Sequence, residues 1–189
     1  LKELVPMFDK NQTRINFVAR GIGKANIPGT CTGIDTFAFQ NCNVTQGINF
    51  PESLTGIGAS AFHYSNSPAI LNFPSGLKSI GNNAFQFSTP QVINIPAGSV
   101  GSSAFAYGAT LKTGTLGTGV TSVGASAFYN CSNLVRLNCN VPLTSIWTNA
   151  FLNTSSSLVI HARASDSSWT AGTNLSIKDN TSVDVIKDL

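Results

Sequence analysis

A six-residue motif that begins with Ile or Val and ends in Ala-Phe occurs six times in this chain, starting at Ile34-Asp35-Thr36-Phe37-Ala38-Phe39. Its last residues, Phe39, Phe62, Phe85, Phe105, Phe128 and Phe151, are separated by 23, 23, 20, 23 and 23 residues. A motif returning at a nearly fixed step of this size is typical of a solenoid, in which every repeat forms one coil. We therefore predict a single repeat domain over residues 25–160, with an N-terminal cap over 1–24 and a C-terminal cap over 161–189.

Every repeat also carries an apolar-polar-apolar triplet ahead of the motif, as in Ile48-Asn49-Phe50, which Pro51 follows. Alternation with a period of two predicts a short strand with one buried face. Proline lacks a backbone donor and is expected to end that strand. The Ala-Phe motif is predicted to form a tight irregular or 3₁₀ segment whose Phe enters the core from the other side. Each coil would then contain one short strand.

The repeat resembles a known family. The order Cys131-Ser-Asn-Leu134, Leu137-Asn-Cys139, Leu143-Thr-Ser-Ile146 and Ala150-Phe151 is similar to the BspA-like, or Treponema pallidum-type, leucine-rich repeats. The resemblance implies an α/β-type repeat solenoid, a curved right-handed coil with short parallel strands on its concave face and irregular or 3₁₀ segments on its convex face. Most members are surface or secreted proteins and several are regarded as adhesins. A cell-surface or secreted location is expected here from that resemblance alone.

Two consecutive repeats depart from the pattern. Only three residues separate Pro96 from Val100, where neighbouring repeats have five, and the next repeat has Gly114 and Gly117 in place of an aliphatic residue and the proline. We predict a local irregularity around residues 96–118 that bends or loosens the stack.

The four cysteines occupy core positions of the repeat, so we expect buried free thiols, which behave as small apolar side chains. Cys42 and Cys131 lie four coils apart, about 19 Å at the spacing of stacked strands, which is beyond the reach of a disulfide. A bridge between Cys131 and Cys139 stays open. No Cys-x₂-Cys pair suggests zinc, and no metal or cofactor is expected.

Charge is scarce, because Glu52, Lys78 and Lys112 are the only charged residues between Thr36 and Val135. A nucleic-acid surface needs clustered Lys and Arg, so no nucleic acid partner is expected. No apolar run of about 18 residues predicts a transmembrane segment. His63 and His161 stand in no motif for catalysis or zinc binding, and His63 is expected to be a surface residue. We expect no enzyme.

Two columns of side chains are candidates for recognition. The polar centres of the triplets form the first, which we call the Asn column: Asn26, Asn49, Asn72, Asn94, Thr115 and Asn138. Asn is depleted in strands, so its recurrence indicates either an amide ladder between coils or an uncharged binding face, and both roles are compatible. The second, the aromatic column, lies one or two residues after the core Phe: Tyr64, Phe87, Tyr107 and Tyr129. These rings either shield the core or bind a partner.

The ends of the chain are predicted to form caps. Leu1, Leu4, Val5 and Phe8 are spaced for one face of a short helix, although Pro6 lies inside it. Near the other end, Ser165 or Asp166 is predicted to cap a short helix carrying Trp169 as a lid on the last coil. Val183, Val185 and Ile186 indicate a final strand.

Together these features predict a non-catalytic surface or secreted module that binds a host or microbial macromolecule, a protein or a glycan, through the Asn-lined concave face. The alternative is a structural spacer or array segment of a larger surface or phage-tail protein.

Overall fold

The triplets form strands that stack in parallel from coil to coil. The computed structural model describes residues 7–11, 13–18, 21, 23–169, 171–177 and 181–189. Its strands are β1 (Met7–Phe8), β2 (Arg14–Phe17), β3 (Lys24–Asn26), β4 (Gly33–Ile34), β5 (Gly47–Asn49), β6 (Gly56–Ile57), β7 (Ile70–Asn72), β8 (Ser79–Ile80), β9 (Val92–Val100), β10 (Thr113–Val123), β11 (Arg136–Cys139), β12 (Val159–Ala162), β13 (Gly172–Ile177) and β14 (Thr181–Lys187). A 3₁₀ helix spans Leu143–Ser145.

The repeat solenoid is confirmed, and the α/β label is wrong, because the described residues contain no α-helix. The Ala-Phe segments are turns instead. In each of them two residues, two positions before and two after the core Phe, have φ between 54° and 62°. A left-handed residue every four positions prevents a right-handed helix from propagating.

The expectation of one strand per coil is also wrong, because most coils contribute to two parallel ladders. The first ladder consists of the triplets: β3 pairs with β5, and β7, β9, β10, β11, β12 and β14 follow one another. The second ladder runs through the aliphatic residue that opens the Ala-Phe motif, in the order β2, β4, β6, β8, β9 and β10. A two-residue strand has too short a hydrophobic alternation to stand out in the sequence.

The two ladders meet in β9 and β10, the coils whose sequences depart from the repeat. In these two coils a single strand runs from the triplet to the aliphatic residue of the motif. Strand β9 is nine residues long and β10 is eleven. The predicted irregularity is confirmed as two shifts of register between these strands, at Leu116/Gly119 and Val120/Ser122. It does not open the stack, since β9 and β10 pair over both ladders.

Pro96 does not end its strand as predicted, because it lies inside β9 beside the first of these shifts, between Ile95 and Ala97 in the pairing with β10. A proline is tolerated in a sheet where a bulge removes the need for its missing donor. The shortened repeat has too few residues after Pro96 to form the turn found in the other coils.

Six stacked phenylalanines run along the core. Phe39, Phe62, Phe85, Phe105, Phe128 and Phe151 are at most 1% exposed. Their planes are parallel within 11°, and the distance between consecutive ring centres grows from 4.6 Å at the N-terminal end to 5.8 Å at the C-terminal end. We call this set the Phe column. Burial of an aromatic side chain is among the largest single contributions to a core.

Glycine sets how closely the coils approach on the flank of the solenoid. Gly58, Gly81, Gly101 and Gly124 follow the aliphatic residue of the motif, and a Cβ at any of them would lie 2.5–2.6 Å from backbone atoms of the preceding coil. Any other residue would push the coils apart. The same position holds Asp35 in the first motif and Trp147 in the last.

Antiparallel hairpins close both ends of the described solenoid. At one end β1 pairs antiparallel with β2, and at the other β13 pairs antiparallel with β14, which in turn continues the first ladder from β12. Most of the predicted N-terminal helix, including Leu1, Leu4 and Val5, lies outside the described residues, and Phe8 belongs to β1 rather than to a helix. The final strand through Val183 and Val185 is confirmed as β14.

The predicted helix around Trp169 is a turn. Asp166 accepts hydrogen bonds from the backbone N–H and the hydroxyl of Ser168, at 2.9 and 2.6 Å, and these bonds lower the pKa of its carboxyl. Trp169 is buried and donates its indole N–H to the carbonyl of Val141 at 2.9 Å. Its predicted position over the last coil is confirmed.

Candidate functional site

The Asn column is continuous in register, apart from one break. Asn26 lies opposite Asn49, and Asn72, Asn94, Thr115 and Asn138 are successive partners in the first ladder. Between Asn49 and Asn72 the ladder is interrupted, because β5 and β7 do not pair. The first three side chains are exposed and the last three partly buried.

One rung of the expected amide ladder is present. Asn94 donates its Nδ2 hydrogen to Oδ1 of Asn72 at 2.6 Å. Asn138 accepts a hydrogen bond from Arg136 Nε at 3.2 Å instead. An amide carries two donor hydrogens and two acceptor lone pairs, so a residue in one rung keeps further hydrogen-bonding capacity toward the solvent.

His161 ends the Asn column. It pairs with Asn138 in the register of the first ladder, which sequence reasoning missed because the next triplet, Ile160-His161-Ala162, lacks both Asn and Pro. Its ring is 7% exposed, and Nδ1 lies 3.0 and 2.9 Å from the two carboxylate oxygens of Asp188. The last strand thus covers the polar column at this end.

The aromatic column forms a true stack. The rings of Tyr64 and Phe87 are parallel within 2° at 4.4 Å, and those of Phe87 and Tyr107 within 11° at 4.5 Å. Tyr129 meets Tyr107 edge-on at 5.3 Å and 78°. Tyr64 is 53% and Tyr107 36% exposed, whereas Phe87 and Tyr129 are partly buried. The rings therefore both contact one another and face the solvent.

The backbone at this position is left-handed in every repeat. The residue two positions after the core Phe has φ of 54–59°, and the six residues are Asn41, Tyr64, Phe87, Tyr107, Asn130 and Asn153. This conformation lets their N–H groups bond to the following coil: Asn41 donates to the carbonyl of His63 at 2.9 Å, and Tyr64 to that of Gln86 at 3.0 Å. Asn tolerates left-handed φ well, whereas a bulky aromatic residue there is an outlier.

His63 lies beside the aromatic column rather than fully in solvent. Its ring centre is 4.4 Å from that of Tyr64, and its Nδ1 is 3.3 Å from Nε2 of Gln40. Partial burial lowers the pKa of the imidazole below its ordinary value, although a hydrogen bond that the ring donates to the Gln86 side chain works in the opposite direction. Burial at this surface therefore favours the neutral form of His63.

All four cysteines are buried and free, as predicted from their positions, and no bridge joins Cys131 to Cys139. Burial raises the pKa of each of these two thiols to about 12. Thiols held in the protonated form are poor nucleophiles and poor metal ligands. Within the described part of the chain, no group of three His, Cys, Asp or Glu side chains is arranged to hold a metal ion.

Family comparison agrees with this geometry. The profile described as BspA type leucine rich repeat region matches six copies, over residues 16–107 and 98–167. The chain belongs to the BspA-type leucine-rich-repeat family. No curated protein sequence matches it. The strands of the first ladder and the rings of the Phe column thus belong to successive BspA-type repeats.

Solved structures support the same fold. The pneumococcal vaccine antigen PcpA is 15% identical and superimposes with a TM-score of 0.72 over 97% of this chain and 46% of its own. A leucine-rich repeat protein from Eubacterium ventriosum is 17% identical, with a TM-score of 0.53 over 79% of this chain and 48% of its own. This chain therefore spans about half the length of either structure. None of the helices in its described residues is long and apolar enough to cross a membrane.

Two exposed aromatic residues were not identified from the sequence. Trp147 is 63% exposed and occupies the position that is glycine in four other BspA-type repeats, and Phe37 is 53% exposed with φ of 62° where the other repeats have Ser or Asn. The departure from the repeat was the available signal in both cases. Among the described residues, neither ring stacks on a member of the aromatic column, so we assign them no part in it.

Proposed function

We propose that this BspA-type solenoid is a non-catalytic binding module of a surface or secreted protein, which recognises a host or microbial macromolecule through the Asn column. The observation that carries the proposal is the column of amides in register along parallel strands, of which Asn26, Asn49 and Asn72 are exposed. The amides of this column offer donors and acceptors that themselves carry no charge. The similarity in fold to the pneumococcal vaccine antigen PcpA supports a surface location.

The geometry of the core supports a concave position for this face. Phe73 of the first ladder contacts Phe85 edge-on at 5.5 Å, so the Phe column lies across the core from the Asn column. At the N-terminal end the rings stand 4.6 and 4.7 Å apart, close to the spacing of about 4.8 Å between hydrogen-bonded strands, and only in the C-terminal coils do they stand wider, at 5.6 and 5.8 Å. A coil stack that is longer on the Phe side curves toward the Asn column.

A binding screen tests this proposal. The chain is presented to arrays of glycans and of extracellular-matrix proteins beside the triple variant Asn49→Ala/Asn72→Ala/Asn94→Ala. The control is Thr36→Ala/Ser102→Ala/Thr148→Ala, three exposed residues in another column of the coils. Loss of a few hydrogen bonds is expected to weaken binding by about tenfold or more. A ligand that binds both variants equally well, or a panel without any ligand, contradicts the proposal.

A second candidate function is a structural spacer. The observation in its favour is that solved relatives are about twice as long as the chain, which covers 46% and 48% of them. Coils that only hold other parts at a distance need no ligand. This alternative is favoured if no ligand binds in the screen and if the triple Asn variant is as stable as the unmodified chain.

A further inference from the structure

The aromatic column stops at Tyr64, whose ring has a stacked aromatic neighbour in the following coil and none in the preceding one. One face of that ring is stacked on Phe87 at 4.4 Å, and on the other side the preceding coil places Asn41 in the equivalent position. Asn41 is itself exposed and carries no ring, and Tyr64 remains 53% exposed although it is stacked. At the other end the last ring, Tyr107, is met by the edge of Tyr129. The open face is therefore confined to the Tyr64 end.

The backbone gives an independent reason to assign the column a role. Asn41, Asn130 and Asn153 show that an Asn satisfies the left-handed turn after the core Phe. Tyr64 adopts the same φ of 54° with a side chain that this conformation disfavours. Strained positions of this kind persist where they serve a function. Packing of the core does not require the ring, because the equivalent Asn side chains leave their own coils intact.

The surroundings of the open face are polar and uncharged. Gln40 and Asn41 contribute amides from the preceding coil, and His63, beside Tyr64, contacts Gln40. The charged residues between Thr36 and Val135, namely Glu52, Lys78 and Lys112, belong to other positions of the repeat. Gln40 and Asn41 carry no charge and offer hydroxyl groups both donors and acceptors.

We propose that the uncovered face of Tyr64 is a stacking site for a neutral sugar ring of a glycan, with Gln40 and Asn41 bonding to its hydroxyls. The π face is electron-rich and attracts the polarised C–H groups on the flat side of a pyranose. The bound ring would extend the column by one member, at the spacing that the tyrosine and phenylalanine rings already keep. This inference deepens the proposed function, since it assumes that the chain is a binding module.

The test uses the whole chain and an array of neutral oligosaccharides, with sialylated and sulfated glycans and matrix proteins beside them. Tyr64→Asn installs the residue that three other repeats carry, and Tyr107→Asn makes the same change at the covered end of the column. Asn41→Tyr keeps Tyr64 and fills the site with a further ring. Thermal unfolding followed by circular dichroism establishes that each variant is folded before binding is compared.

Neutral glycans are expected to bind the unmodified chain. Tyr64→Asn and Asn41→Tyr should both weaken that binding by about tenfold, the contribution of one stacked ring, while Tyr107→Asn stays within about threefold. Four results would overturn the proposal: no neutral glycan binds; charged glycans alone bind; only a protein binds in a manner that depends on Tyr64; or Tyr64→Asn binds as well as the unmodified chain.

The variants also separate this inference from the proposed function. Glycan binding that survives Tyr64→Asn and is lost in the Asn-column variant leaves the proposed function standing and removes the stacking site. Binding that depends on Tyr64 and survives the Asn-column variant supports the stacking site and contradicts the Asn column as the binding face.

Discussion

Two aromatic stacks run side by side through this protein, and they differ in what the fold needs from them. The Phe column is buried, lies in turns whose backbone it does not strain, and repeats in all six copies of the motif. The aromatic column begins two residues later in the same turns, occupies left-handed positions, and spans three stacked rings. One stack is required to close the coils, whereas the other is an addition that asparagine could replace. The comparison separates residues that build the solenoid from residues available for recognition.

The largest effect is expected in the Phe column. Phe85 stacks between Phe62 at 4.7 Å and Phe105 at 5.2 Å, so its replacement leaves a cavity that neighbouring coils cannot close. Phe85→Ala should lower the free energy of unfolding by about 3–5 kcal/mol, measured by urea denaturation. A loss below about 1 kcal/mol would show that this ring is not part of the core.

The next effect concerns the glycines that let coils approach. A Cβ on Gly81 would lie 2.6 Å from the backbone N of Ala59, whereas a Cβ on Gly56 would meet nothing closer than the hydroxyl of Ser79 at 3.7 Å. Gly81→Ala should destabilise the chain by about 1–3 kcal/mol, through displaced coils. Gly56→Ala is the matched control and is expected to stay within about 0.5 kcal/mol. Equal costs for the two variants would mean that contact with the preceding coil is not what selects glycine.

A smaller effect is expected in the aromatic column. Tyr64→Asn loses a stack worth about 0.5–1.5 kcal/mol and relieves backbone strain of about 1 kcal/mol, so the two contributions nearly cancel. The free energy of unfolding should change by less than about 1 kcal/mol, in contrast to Phe85→Ala, under the same urea titration. A loss as large as that of Phe85→Ala would make this ring part of the core and remove the distinction between the stacks.

The smallest expected effect concerns two of the buried cysteines, whose thiols should not be alkylated in the folded chain. Cys131 lies beneath the Phe column, with its thiol 3.1 Å from the carbonyl of Phe105, and burial raises its pKa to about 12. The pKa of Cys139 is raised to the same value, so raising the pH from 7 to 9 produces almost no thiolate at either residue, and iodoacetamide should label neither Cys131 nor Cys139 of the folded chain. All four should react in guanidinium chloride, as mass spectrometry would show. Rapid labelling of Cys131 without denaturant would place it outside the core.

Sequence reasoning predicted the parts of the fold that repeat with large apolar side chains. Phe39, Ile34 and Leu54 recur at fixed spacing, and hydrophobic periodicity reports burial directly. It failed for β4, β6 and β8, because two residues cannot show an alternation. Pro96 was misjudged because a proline stops a strand only where its missing N–H would have been paired, which depends on register.

The sequence predicted which residues stack in the candidate site, but it did not predict their backbone conformation. Tyr64, Phe87 and Tyr107 were expected to stack because they occupy equivalent positions, and they do. The left-handed φ that makes these residues informative arises from hydrogen bonds to the next coil, as from Tyr64 to Gln86, which no local sequence pattern reveals. His161 was missed for a similar reason, since only the register of β12 against β11 places it at the end of the Asn column.

The meeting of the two ladders in β9 and β10 also determines which coils would separate first under a pulling force. Strands β9 and β10 share eight paired residues, whereas β6 and β8 share two and β5 is not joined to β7. In a stack where each coil contacts only its neighbours, a pulling force is borne by every joint in series, and the joint with the fewest backbone bonds separates first. The joint between the coils of β6 and β8, which is held by one ladder instead of two, would therefore separate before the joint between β9 and β10.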